Sequence, residues 1–146
     1  MTEIIRAVLD ANVVASALVN PSGTPGRIVK RLLAESAFES VVSVATLAEL
    51  RRCVAYPRLR AHILFTDGAL ARWIDHFAIV SSVVEDVPLT HAPVVRADPT
   101  DDLYLAVAVT GRAAYVVTGD HHLLALGAYQ AIAVVPPRVF AKVLSA

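Results

Sequence analysis

Apolar and polar positions alternate along this chain between two rhythms, short continuous apolar runs and stripes at helical spacing. Ile4, Ile5, Ala7, Val8 and Leu9 make a first apolar run and predict a strand over residues 3–9. "PGRIVKRLLAES" opens on Pro25 and sets Ile28, Val29, Leu32 and Leu33 on one face, as an amphipathic helix does. "FESVVSV" predicts a short buried strand. "TLAELRRCVA" predicts a helix with Leu47, Leu50 and Val54 on one side that stops before Pro57. "DGALARWIDHF" repeats the helical spacing through Leu70, Trp73, Ile74 and Phe77, and "AIVSSVV" reads as the next strand. A polar, proline-containing connection over 85–97 follows. "DPTDDLYLAVAV" then begins a helix, with Asp98 as N-cap and Pro99 at the first helical position. "AAYVVTG" predicts a strand, 121–126 a short helix, "AIAVV" a strand, and Pro136 and Pro137 open a last helix, "RVFAKVL". Strands joined by helices predict a parallel α/β sheet with helices on both faces. No repeat, low-complexity tract or linker divides the chain, so one domain over residues 1–146 is expected.

Within that pattern the acids are placed unusually. Asp10 directly follows the first apolar run and is flanked by Val8, Leu9, Val13 and Val14. Burying an unpaired carboxylate costs several kcal/mol or forces it to take up a proton, so something must offset the cost. Ligands of open parallel sheets bind beyond the carboxyl ends of the strands, and other acids fall near that edge. Glu49 follows the second strand, Asp101 and Asp102 open the helix before the fourth, and Asp120 closes "VVTGD". Singly, each has a structural explanation. Thr46 to Glu49 and Asp98 to Asp101 fit helix-start capping arrangements, and Asp120 fits a turn or a cap. Together they predict one pocket. Like charges ~4 Å apart repel by about 4 kcal/mol per pair at an effective dielectric near 20, so clustered carboxylates must share protons or bind cations. An all-oxygen donor set suits hard ions such as Mg²⁺ or Mn²⁺.

Composition narrows the class. Hydrophobic residues make up 56% and mean hydropathy is +0.60, yet no run approaches the roughly 18–20 apolar residues of a spanning helix. No N-terminal signal pattern is evident. The apolar excess fits a sheet covered on both faces, and also a homodimer interface, with Trp73 and Phe77 as candidate contacts. The single cysteine, Cys53, cannot form an internal disulfide; a reducing cytoplasm is the expected compartment and a packed thiol its expected state. No histidine and cysteine set has zinc-ligand spacing, and the adjacent His121 and His122 should diverge into solvent. Net charge is zero but uneven. Residues 26–62 hold seven bases (Arg27, Lys30, Arg31, Arg51, Arg52, Arg58, Arg60) against three acids, whereas 63–146 hold eight acids against five bases. A basic zone beside an acidic pocket suits a polyanion, although solvated helix faces explain any one arginine.

The order "VLDANV", "LAEL", "DPTDDLYLAVA", "YVVTGDHHLLALG" and final "PRVF" resembles the PIN-domain family, in its branch of small prokaryotic toxins of toxin–antitoxin systems. The resemblance spans nearly the whole chain. It implies a three-layer α/β/α sandwich around a parallel sheet of about five strands, with an acidic pocket at the strand ends. The family's four acids correspond to Asp10, Glu49, Asp101 and Asp120, and its accessory polar residues to Asn12 and Thr118. Ala11 departs from the threonine often found there, and Asp102 is an additional acid. The implied activity is a Mg²⁺- or Mn²⁺-dependent endoribonuclease. Asp10, Asp101 and Asp120 would hold the metal, and Glu49 would help orient or deprotonate the attacking water. Arg27, Arg31, Arg51 and Arg52 are candidates for the RNA phosphates. A cognate antitoxin would be the protein partner.

Competing readings fare worse. A haloacid-dehalogenase-type phosphatase needs an acid where Asn12 stands and another where Leu124 stands. A response-receiver domain needs paired acids before the phosphoacceptor strand, and "TEIIRAV" offers only Glu3. The alternative from another class is a non-catalytic PIN-fold module that holds RNA or protein; the intact acid set argues against it.

Overall fold

A computed structural model describes residues 3–90, 92–95 and 101–145. Asp98 and Pro99, expected to start a helix, lie outside the described residues.

Among the described residues, six strands form one sheet in the order β3-β2-β1-β4-β6-β5. They are β1 (Arg6–Leu9), β2 (Glu39–Ser43), β3 (Ser82–Val84), β4 (Tyr115–Val117), β5 (Ala128–Tyr129) and β6 (Ile132–Val135). Neighbours pair in parallel except β5 with β6. The five parallel strands match the expected sheet. The sixth, β5, has two residues and returns antiparallel around Gln130 at φ 53°, too short to leave an alternating pattern. β1 lies inside the sheet, so Ala7, Val8 and Leu9 are buried, as a run covered on both faces must be. The first strand is shorter than the predicted 3–9.

The helices are α1 (Ala11–Val19), α2 (Thr24–Glu35), α3 (Val44–Ala55), α4 (Pro57–Arg60), α5 (Asp67–Val80), α6 (Asp102–Thr110), α7 (His121–Leu126) and α8 (Pro137–Ser145). α1 packs with α2 and α3, α2 with α8, and α6 against β1, β2 and β4. α1 had no helical stripe in the sequence because it is apolar nearly all round. Six of its nine residues are buried, the mark of a helix inside the fold. Ala78, Ile79 and Val80, expected as strand, extend α5 instead. Each added residue gains one backbone bond, and Ile79 is left 79% exposed. The helix closes at Ser81, whose hydroxyl donates to the Phe77 carbonyl at 2.7 Å.

α3 is capped otherwise than expected. Ser43 is the N-cap and shares a reciprocal capping box with Thr46, whose hydroxyl accepts from the Ser43 amide at 2.8 Å. Glu49 therefore takes no part in the cap and sits in the second turn. Phe77 is buried and the half-buried Trp73 stacks on it, ring centroids 5.8 Å apart. In the core, Phe140 of α8 meets Phe38 edge-on at 5.1 Å and Tyr115 at 5.5 Å.

The α1–α2 connection is tight at Gly26, where an added Cβ would fall 2.2 Å from the Pro21 carbonyl oxygen. Backbone cannot yield there as a side chain can. Gly26→Ala is expected to destabilise the fold by about 1–3 kcal/mol, read as a lower melting temperature in thermal denaturation followed by circular dichroism.

Candidate functional site

Asp10 follows β1 and caps α1. Its Oδ1 accepts from the Asn12 amide at 3.0 Å, and its Oδ2 accepts from the Thr118 hydroxyl at 2.7 Å. The Asp10 backbone is fixed as well, its N–H donating to the Val117 carbonyl at 2.9 Å. The residue is only 3% exposed. Tyr104, also buried, hydrogen-bonds the Asp10 carboxylate, and its hydroxyl accepts from the Ala11 amide at 3.3 Å. The buried acid is thus held by the loop after β4, by α1 and by α6 together.

Thr118 does two things. Besides donating to Asp10, its Oγ1 accepts from the Asp120 amide at 3.0 Å, which ties the first acid to the loop of the last. Asp120 caps α7, its Oδ1 accepting from the His122 and Leu123 amides at 2.8 and 3.3 Å. Asp101 sits at the N-terminus of α6 and is buried. Glu49 pairs with Arg52, one turn on along α3. Asp10, Asn12, Glu49, Arg52, Asp101, Tyr104 and Asp120 all line one cavity of about 560 Å³ at the carboxyl edge of the sheet.

The electrostatics follow from this placement. Burial pushes the Asp10 carboxyl above its ordinary value. The hydrogen bonds from Thr118, Asn12 and Tyr104 oppose that rise, and the charge of Asp120 adds to it. Burial first, and the Asp10 charge second, also push the Tyr104 hydroxyl upward, so it remains a proton donor. Cys53 lies beside the site, its thiol donating to Asn12 Oδ1 at 3.2 Å. Burial, then Asp10, raise its pKa, which keeps it a packed thiol.

The other predicted residues go elsewhere. Asp102 turns away from the cavity and grips the incoming chain, Oδ2 and Oδ1 accepting from the Val94 and Val95 amides at 2.8 and 2.7 Å. Arg51 faces Asp75 at 3.9 Å in a groove between α3 and α5. Arg27 and Arg31 line a groove between α2 and α8. Of the four arginines only Arg52 borders the acids. The His121 and His122 rings do not diverge but lie tilted with centroids 4.1 Å apart, both exposed.

Sequence reasoning overlooked Tyr104. Its signal was the helical spacing from Asp101, which brings a residue three places on to the same face.

The donors around the cavity are carboxylates and one amide, all oxygen, as a hard divalent cation requires. Among the described residues, no three His, Cys, Asp or Glu side chains stand close enough to hold an ion as they are. A cavity this size leaves room for waters between acids and ion, which suits Mg²⁺, an ion that dehydrates reluctantly.

A mostly parallel sheet flanked by helices, with acids lining one cavity at its carboxyl edge, defines a PIN-like α/β fold. The sequence profile of the PIN domain matches residues 6–122, and the chain belongs to the PIN-domain family. The uncharacterized protein MJ1680 of Methanocaldococcus jannaschii is 33% identical over 122 residues, which are 84% of this chain and 75% of that protein. The crystal structure of PAE2754 from Pyrobaculum aerophilum is similar in fold, with a TM-score of 0.63 at 18% identity, over 97% of this chain and 90% of that one. PIN domains are generally nucleases that use divalent metal ions.

Because Asp10 holds its proton more tightly folded than unfolded, the stability that proton supplies is full below the ordinary value of 3.8 and is lost as pH rises through the raised folded value. Asp10→Asn removes the charge and keeps the shape. In divalent-free buffer it is expected to melt higher than wild type at pH 7, with the gap closing as pH falls to about 3.8. Calorimetry across that range checks it; a variant that melts lower at pH 7 would show that the ionised form is the stabilising one.

Proposed function

We propose that this protein is a metal-dependent endoribonuclease that hydrolyses phosphodiester bonds of RNA, acting as the toxin of a toxin–antitoxin pair. The observation that carries this reading is the convergence of Asp10, Glu49, Asp101 and Asp120, from four separate segments, on one cavity. Asp10, Asp101 and Asp120 would hold Mg²⁺ or Mn²⁺. When bound, such an ion acidifies a water nucleophile and neutralises charge building on the phosphoryl oxygens. Thr118, Asn12 and Tyr104 keep the Asp10 carboxylate oriented and, by hydrogen bonding, favour its charged form. Glu49 orients the attacking water and takes its proton on a carboxylate oxygen. Arg52, its side chain 77% exposed at the cavity rim, exchanges Glu49 for the substrate phosphate. RNA, a cognate antitoxin and a second copy of the chain are the partners this reading calls for, in the cytoplasm.

The expected outcome is cleavage of single-stranded RNA with Mn²⁺ or Mg²⁺, abolished by a chelator. Asp10→Asn and Asp101→Asn are each expected to lose at least about a hundredfold, the scale of removing one member of an electrostatic site. Electrophoresis of end-labelled RNA reads this out. RNA binding without cutting in any divalent ion would select the non-catalytic module instead. Independently of activity, millimolar Mn²⁺ is expected to raise the melting temperature of wild type, since a ligand that binds only the folded chain stabilises it, and to raise that of Asp10→Asn much less.

A further inference from the structure

The groove between α2 and α8 has about 290 Å³ of space and is bordered by Arg27, Arg31 and Arg138 over a floor that includes Ile28 and Leu144. No acid lines it. α2 and α8 together carry Arg27, Lys30, Arg31, Arg138 and Lys142 against one acid, Glu35, in a chain whose net charge is zero. Arg31 is set in place by donating to the Leu144 carbonyl at 2.9 Å and lies 3.6 Å from Glu35. Arg27 and Arg138 make no side-chain hydrogen bond or ion pair among the described residues. Both are exposed, so their guanidiniums are open to an anion that enters the groove.

We infer that the Arg27–Arg31–Arg138 groove is a second phosphate-binding track for RNA, distinct from the acid-lined cavity. Its cations at the groove are arginines, whose planar forks match phosphate oxygens and whose weaker hydration makes direct pairing easier than for lysine. Its place in the fold suits a strand that extends from the cavity. Arg138 stands in the first turn of α8, just past the carboxyl end of β6. β6 pairs with β4, which pairs with β1, and the Thr118 amide donates to the Val135 carbonyl at 3.0 Å. From Arg138 the groove follows α8 down to Leu144 and Ser145, about 10 Å along the axis. An RNA leaving the acids across the ends of β4 and β6 would meet Arg138 first and Arg27 and Arg31 beyond it. An RNA longer than the cavity carries phosphates beyond the reach of Arg52 and of an ion held by the acids, and Arg27 and Arg138 are available to pair with them.

The inference rests on RNA being the substrate, and its test does not need cleavage. Binding of a fluorescein-labelled polyuridine oligonucleotide longer than the cavity is followed by anisotropy across a salt series, in the Asp10→Asn background. Adding Arg27→Ala and Arg138→Ala is expected to weaken binding severalfold. The slope of log K against log salt should fall by about 0.7 for each phosphate of the single strand that these arginines neutralise. The charge-matched Arg58→Ala/Arg72→Ala pair controls for net charge, and melting temperatures confirm that each variant folds. Arg31 is left intact because it ties α2 to α8. An unchanged slope with Arg27 and Arg138 removed, or weakening no greater than in the control pair, overturns the inference and leaves the nuclease reading standing. If those two arginines matter for an acidic protein segment and not for RNA, it is likewise overturned. Arginine-dependent RNA binding by a wild-type chain that never cuts would sink the nuclease reading alone.

Discussion

Everything at the carboxyl edge depends on one buried carboxylate held by neutral donors. Asp10 has almost no access to water, and no lysine or arginine pairs with it among the described residues. Hydroxyls of Thr118 and Tyr104 and the amide of Asn12 supply the compensation. A buried polar network is stable only when its members are satisfied together, so these donors must be delivered by rigid elements. That is why the site draws on the end of β1, the loop after β4, the first turn of α1 and the start of α6. The parallel register β1–β4, with Leu9 beside Val117, places Asp10 and Thr118 side by side. The geometry of the sheet and the chemistry of the site are one constraint.

Using neutral donors has a consequence for charge. A paired arginine would have held Asp10 comfortably but would have filled the cavity with its own cation. Hydroxyls and amides leave the negative potential in place, reinforced by Asp120. Glu49 differs, since it already has Arg52 as a partner at the rim. The acids therefore divide into a group set at the strand and helix ends and one member whose exposed partner can exchange. A solvent-facing pair of this kind contributes little to stability, so its exchange costs little.

Much of this was legible in the linear pattern. The parallel strands were legible as continuous apolar runs and α2, α3 and α5 as apolar stripes at helical spacing, while prolines ahead of them marked α6 and α8. What lacked a period was not legible. α1 is buried nearly all round, α4 is a single turn, β5 is two residues long, and the end of α5 carries Ile79 and Val80, whose β-branched side chains favour strand. Among the site residues, Asp10 was conspicuous because an acid inside an apolar run has no bland explanation. Glu49, expected near the edge from its place after the second strand, lines the cavity there, and the bland alternative of a Thr46–Glu49 cap fails because Ser43 and Thr46 make it. Asp102 looked like a second acid beside Asp101, and only the helix rotation between consecutive residues turns it to the Val94 and Val95 amides.

By itself, then, the sequence determined the alternation of strand and helix, the carboxyl-edge location of the acids and the membership of a PIN-type fold, because those depend on local periodicity and on order along the chain. Tertiary structure alone decided which side chains meet. Tyr104 reaches Asp10, Thr118 joins two acid-bearing loops, Arg52 rather than Arg27, Arg31 or Arg51 faces the acids, and Arg138 joins Arg27 across two helices distant in sequence. Such meetings depend on strand register and on which face each helix turns, and one residue of rotation or slip, invisible in composition and spacing, would send every one of those groups elsewhere.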